Sequence, residues 1–291
     1  MKQRGAKIKV QSKGYGGNHI GDAGYLTINR DVPADVDVCF LEWSTPEQKS
    51  LPREKFLYML DILHGKSILP IVLILARKDN IAGDREFDRE LLKLCEENDV
   101  KVLDYRSLIV PDVDLRDAVH TKESGALKYS QAIIDELSSI QTSLESWKPP
   151  RGGPLAFSIN SLSELTITLE EGQALEFDVE VLGENAEVIA EVVRGPASGV
   201  IDVLPEKLKI KVWDRWSHFE RPSFLSICKF EGVNNFVQRV TIAMTEDSVD
   251  YSHCARPFSY DGPKNFKLKS LLLTNCVAKN DPKVMHSSEV I

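Results

Sequence analysis

The residue types best suited to chemistry in this chain are Asp117 and His120, in the run Asp117-Ala118-Val119-His120 that follows a strand-like segment and precedes a helical pattern at Ser124 to Leu137. An acid three residues ahead of a histidine, on the loop leading into a helix, can turn both side chains to one side and let the carboxylate hold the imidazole. A histidine held in this way is a general base that takes a proton from a hydroxyl, a contribution on the order of 10² to 10⁴ in rate. The acid would fix its tautomer and stabilise the imidazolium. The competing reading is an exposed histidine near a helix start with Asp117 as a capping acid. No nucleophile for such a base is evident upstream in the first half of the chain.

Other residues could bind rather than react. Gly14, Gly16 and Gly17 could let backbone N–H groups approach a developing oxyanion, or could simply form a tight turn. The stretch matches neither G-x-G-x-x-G nor G-K-[ST], so a nucleotide loop is not expected. The run Pro111-Asp112-Val113-Asp114-Leu115-Arg116-Asp117 gathers carboxylates, and a metal hydrolase using Asp112, Asp114 and His120 is conceivable on ligand type. It lacks the glycine and closing glutamate of an EF-hand, and it reads as a solvated acidic loop. Neither a metal nor a cofactor is expected. In the second half, Trp213-Asp214-Arg215-Trp216-Ser217-His218-Phe219-Glu220-Arg221 concentrates aromatics and charges after a strand. Trp213 and Trp216 are candidates for stacking on sugar faces, against the plainer reading of a core tryptophan beside a charged turn.

The elements that must position these residues fall into two patterns. Ile8 to Val10, Val36 to Leu41, Ile68 to Ala76 and Val100 to Leu103 read as strands; Arg53 to Leu63, Arg85 to Glu97 and Ser124 to Ser146 read as helices. Strands this continuously apolar, alternating with helices, imply a parallel sheet covered on both faces. Gly21-Asp22-Ala23 reads as a turn. Trp147 to Pro154 packs three prolines and two glycines into eight residues, which ends a helix and cannot continue a strand. Beyond it, Leu165 to Leu169, Leu175 to Val181, Glu187 to Val193, Leu208 to Val212, Phe224 to Phe230 and Phe236 to Met244 are short runs of the kind found in antiparallel sandwiches. The expected organisation is an α/β domain over 1–148, a linker over 149–154, a β-sandwich domain over 155–279 and a frayed tail over 280–291.

Composition narrows the function classes. With 291 residues and 42% hydrophobic content the chain can bury a sizeable core. Residues 1–150 carry 21 basic and 24 acidic side chains and the remainder 15 and 20, so neither half is basic and no nucleic-acid partner is expected. Five cysteines without a C-x-x-C read as reduced, mostly buried thiols. No transmembrane segment is expected. The N-terminal MKQRGAKIKV has charge but no apolar stretch, which reads as cytoplasmic on the condition that Met1 is the native start.

Three strand-following loops then line up: Gly14 to His19, Glu42-Trp43-Ser44-Thr45-Pro46-Glu47, and Asp117 to His120. Their order and spacing over roughly residues 6–146 resemble the SGNH (GDSL-type) hydrolase superfamily. That resemblance implies a flavodoxin-like parallel sheet with flanking helices, a glycine after the second strand, an Asn-Asp after the third, and a closing Asp-x-x-His. Gly16 or Gly17 matches the glycine position and Asp117 with His120 the closing motif. The asparagine that donates to the oxyanion would fall near Pro46, which has no N–H, leaving Ser44 or Thr45 as substitutes. The opening Gly-Asp-Ser belongs after a strand preceding Ile8, and Gly21-Asp22-Ala23 has no nucleophilic oxygen. The resemblance implies an esterase or O-acyltransferase acting on ester-linked acyl groups, of carbohydrate or another small ester. The alternative is a non-catalytic carbohydrate-binding or assembly protein without the nucleophile.

Overall fold

The computed structural model describes residues 9–14, 18–46, 50–81, 85–150, 155, 157–162, 164–231 and 235–286. A π-helical turn, Ile20–Gly24, opens helix α1 (Tyr25–Asp31), followed by β1 (Val38–Glu42), α2 (Arg53–Gly65), β2 (Leu69–Ile74), α3 (Glu86–Glu97), β3 (Lys101–Asp104), the one-turn α4 (Pro111–Asp114) and the long α5 (Glu123–Ser146). The three strands form a parallel sheet in the order β1-β2-β3. Every residue of β2 is buried, as a central parallel strand requires. Its side chains divide by parity: Val72 and Ile74 join a core with α1, α2 and α3, while Leu69, Ile71 and Leu73 pack with Tyr129 and Ile140 of α5. Pro70 lies ahead of the β2–β3 register, which begins at Ile71↔Lys101, so β3 asks no N–H of it.

Two expectations fail here. Lys9 and Val10 form no strand, and Val10 is 81% exposed, with no core to hold it; Ile8 lies outside the described residues. Gly21-Asp22-Ala23 is the start of a helix rather than a free turn, because Asp22 accepts from the His19 backbone N–H and Ala23 is fully buried. Trp43 packs so tightly on Gly24 that a Cβ there would stand 2.9 Å from its ring.

Among the described residues, the strand pairs of the second half are all antiparallel. The strands β4 (Ile159–Leu162), β5 (Ile167–Glu170), β6 (Gln173–Val181), β7 (Ala186–Arg194), β8 (Val200–Leu204), β9 (Leu208–Lys211), β10 (Arg221–Phe230), β11 (Phe236–Met244), β12 (Asn265–Thr274), β13 (Cys276–Ala278) and β14 (Lys283–His286) make two sheets. One has the order β10-β7-β12-β4, with β5 also on β12; the other has the order β13-β6-β11-β8-β9, with β14 also on β6. Phe177 and Ile242 of one sheet share a core with Val188, Ile227 and Phe266 of the other, which makes a sandwich. Lys283–His286, expected to fray, is held instead by pairing with Gln173 to Glu176.

The outer face of the first sheet meets the α/β part. Ile189, Phe224 and Leu272 belong to the same core as Tyr25, Met59 and Leu63. Polar contacts border this seam: Arg30 pairs with Glu191 at 2.7 Å, Tyr25 Oη meets Thr274 Oγ1 at 3.2 Å, and Lys55 Nζ lies 3.8 Å from Glu187 Oε2. Among the described residues, no helix is long and apolar enough to cross a membrane.

Candidate active site

Asp117 and His120 meet in the turn ahead of α5. His120 Nδ1 lies 2.8 Å from Asp117 Oδ2 and 3.0 Å from Oδ1, and the backbone N–H groups of His120 and Val119 donate to Oδ1 at 2.8 and 3.0 Å. The backbone donors of Val119 and His120, followed by the His120 ring, hold the Asp117 carboxyl well below the usual carboxylate range. An ionised acid on Nδ1 fixes the proton there and leaves Nε2 as the free base. Both side chains are open to solvent, at 60% for His120 and 48% for Asp117. Among the described residues, no serine, threonine or cysteine is hydrogen-bonded to the His120 ring.

The loop after β1 is organised by Glu42, whose role no motif announced. Its Oε1 accepts from Ser44 N–H at 2.9 Å, Ser44 Oγ at 2.8 Å and Thr45 N–H at 2.9 Å, and its Oε2 accepts from Thr45 Oγ1 at 2.8 Å. Ser44 is completely buried. Its oxygen also accepts from Leu75 N–H at 2.9 Å. Arg85 donates to the Ser44 carbonyl at 2.8 Å and Arg77 to that of Thr45, so both faces of this loop are engaged. In this state Ser44 and Thr45 direct their donors at Glu42.

The loop after β2 shows the same economy of free donors. Four successive backbone N–H groups find acceptors, three on other segments and one within the loop itself: Leu75 on Ser44 Oγ, Ala76 on Tyr129 Oη at 2.8 Å, Lys78 on the Ala118 carbonyl at 3.0 Å, and Arg77 on Asn80 Oδ1 at 2.6 Å. This chain of bonds ties the loops after β1 and β2 to the Asp117–His120 turn, at the carboxyl ends of a parallel sheet, where ligands of α/β proteins bind. Beneath it, Asp88 is fully buried between Arg85 at 3.7 Å and Arg106 at 3.8 Å, and burial pushes its carboxyl up. Asp88 and Tyr129 had only one signal in the sequence, polar groups inside apolar helical patterns, and Asn80, at the end of the polar run Arg77-Lys78-Asp79-Asn80, had none.

Gly16 and Gly17 lie outside the described residues. Asn18, directly after them, is buried against β10, its Oδ1 accepting from Phe224 N–H at 3.4 Å and Ser223 Oγ at 3.5 Å. Of the acidic run, Asp114 is buried and paired with Lys128 at 2.5 Å, so it is not the solvated loop residue expected. The tryptophans belong to a separate network on the sandwich. Trp213 lies 6.4 Å from the Tyr251 ring with Lys211 Nζ 5.5 Å from its own, and Trp216 is 43% exposed with the Arg215 guanidinium 4.9 Å from its ring. Between them Asp214 accepts from Arg194 and Arg221; burial raises its carboxyl, but these two guanidiniums prevail and hold it low.

No protein-family model matches the chain, and no curated protein matches it. Among solved structures the fold resembles that of a two-domain esterase active on acetylated mannans, with a TM-score of 0.63, 11% identity, and coverage of 88% of this chain and 78% of that one. A second structure of such an esterase, co-crystallised with mannopentaose, matches with the same TM-score, identity and coverage. The likeness runs through both the parallel sheet with its helices and the antiparallel sheets.

Proposed function

We propose that this chain is a carbohydrate esterase of SGNH type, built on a flavodoxin-like α/β domain and a β-sandwich domain. The observation that carries the reading is the bond in which Asp117 accepts from His120 Nδ1, which leaves Nε2 free to act as base. The proposed reaction requires a serine, which the described residues do not place beside His120: its hydroxyl would give its proton to His120 Nε2 and attack the ester carbonyl, His120 would then protonate the departing sugar oxygen, and water or a sugar hydroxyl would take the acyl group. Hydrolysis and O-acyl transfer differ only in that last acceptor. Gly16 and Gly17 are proposed to supply backbone donors to the oxyanion, and Trp216 with Trp213 a surface for sugar. The substrate class, an acylated polysaccharide, follows the esterases of similar fold, a warrant from analogy.

A second reading, a non-catalytic carbohydrate-binding or assembly protein, is favoured by one observation: the Ser44 and Thr45 donors are turned to Glu42 rather than toward a substrate oxygen. The test is acetate release from acetylated mannan by the native protein and its His120→Ala variant, with mannan binding measured in parallel. Loss of release with binding retained supports the esterase. Binding by both proteins with release by neither supports the binder.

A further inference from the structure

The turn that carries Asp117 and His120 is tied to α5 through one residue, Asp114. Its carboxylate is buried at the end of α4, where Oδ2 accepts from Lys128 Nζ at 2.5 Å and from Val110 N–H at 2.8 Å. Its backbone carbonyl accepts from Lys122 N–H at 2.7 Å, so both ends of the segment 115–121 are fixed at the same place. Within the segment, Leu115 pairs with Thr121 and the Arg116 N–H donates to the His120 carbonyl at 2.7 Å. α5 comes so close that a Cβ on Gly125 would stand 2.8 Å from the Asp114 carbonyl oxygen.

Asp117 and His120 are themselves too exposed to be held by packing, so the backbone of the turn must hold them. We propose that the Asp114–Lys128 pair is the positioning element of this couple, locking the turn onto α5 so that His120 Nδ1 meets Asp117 and Nε2 faces one direction. The inference rests on reading His120 as the base. Asp114 and Lys128 touch no substrate; they act through the turn, where a displacement of about 1 Å at a reacting group can lower a rate on the order of 10²-fold.

The test uses the full chain with Lys128→Met, Lys128→Arg and Asp114→Asn, read in two ways. Nitrogen NMR of the His120 ring reports which nitrogen carries the proton, and ester hydrolysis separates kcat from KM. Lys128→Met is expected to shift the ring away from a single Nδ1–H form and to lower kcat by roughly tenfold or more with KM little changed. Lys128→Arg should restore both. Lys128 Nζ is on an open side chain, so Lys128→Met should fold even where Asp114→Asn does not. A His120 ring spectrum in Lys128→Met identical to that of the parent overturns the proposal. Absence of hydrolysis in the parent protein overturns the esterase reading instead, and the ring spectrum still decides the positioning role.

Discussion

The Lys78 backbone N–H donates to the carbonyl oxygen of Ala118 at 3.0 Å, joining the loop after β2 to the turn that carries Asp117 and His120. With Asp114 on the other side, the turn is fastened to two elements that belong to different parts of the α/β layer. The geometry of the turn therefore depends on contacts made from outside it, at Lys78 and at Asp114.

Asn80 is fully buried, accepts from Arg77 N–H and donates to the Leu75 carbonyl at 3.1 Å. Asn80→Ala should cost about 1–3 kcal/mol, because a buried donor and acceptor of the backbone lose their partners. Amide exchange at Lys78 should quicken with it. A variant with parental stability and exchange would show that the loop after β2 is held by other means.

Ser44→Ala removes one donor from Glu42 and the acceptor of Leu75 N–H, again about 1–3 kcal/mol. Urea unfolding should show a lower midpoint with an unchanged slope, the signature of a stability change alone. An unaltered midpoint would mean that Ser44 Oγ contributes little to the fold and is available for another role.

The pH response of the turn follows from the Asp114 carboxyl, pushed down to about 2 by Lys128 and then by the Val110 N–H. A depressed carboxylate contributes stability that is complete above its unfolded value of about 3.9 and lost as pH falls through the folded value. The Lys122 and Val110 amides should therefore stay protected at pH 5 and open between about pH 4 and about pH 2. Opening at pH 5 or above would separate the turn from Asp114.

Cys95, Cys228 and Cys276 are buried free thiols, and burial pushes Cys95 and Cys276 up to about 12. Iodoacetamide near neutral pH should leave all three unmodified in the folded protein and label them once it is unfolded, as mass spectrometry would read directly. Labelling of Cys276 in the native state would contradict the sandwich core.

What could be read in advance follows from how local each signal was. Helices α2, α3 and α5 carry their apolar period in their own residues, and β2 its central burial in an unbroken apolar run. The helix at Ile20–Asp31 was missed because Gly21, Asp22 and Gly24 are turn residues by local preference, overruled by Trp43 and the buried Ala23. Lys9 and Val10 failed as a strand for the converse reason: a β-prone run needs a neighbour to pair with. Among candidate site residues, the Asp117–His120 contact is local and so was visible in spacing. The acceptance of Ser44 and Thr45 by Glu42 is equally local, yet a glutamate ending an apolar run carries no motif. Asp114 with Lys128, and Tyr129 with Ala76, join distant positions, and nothing in a single sequence pairs them.

The Pro- and Gly-rich stretch at 147–154 looks like the place where the molecule should come apart, yet a single apolar core passes from Tyr25, Met59 and Leu63 to Ile189, Phe224 and Leu272 on the far side of it. Cutting the chain there would bare matching greasy surfaces on both pieces, a liability for each of them in water. The two halves are thus poor candidates for exchange with other proteins, and substitutions on one side of the seam must be tolerated by the other.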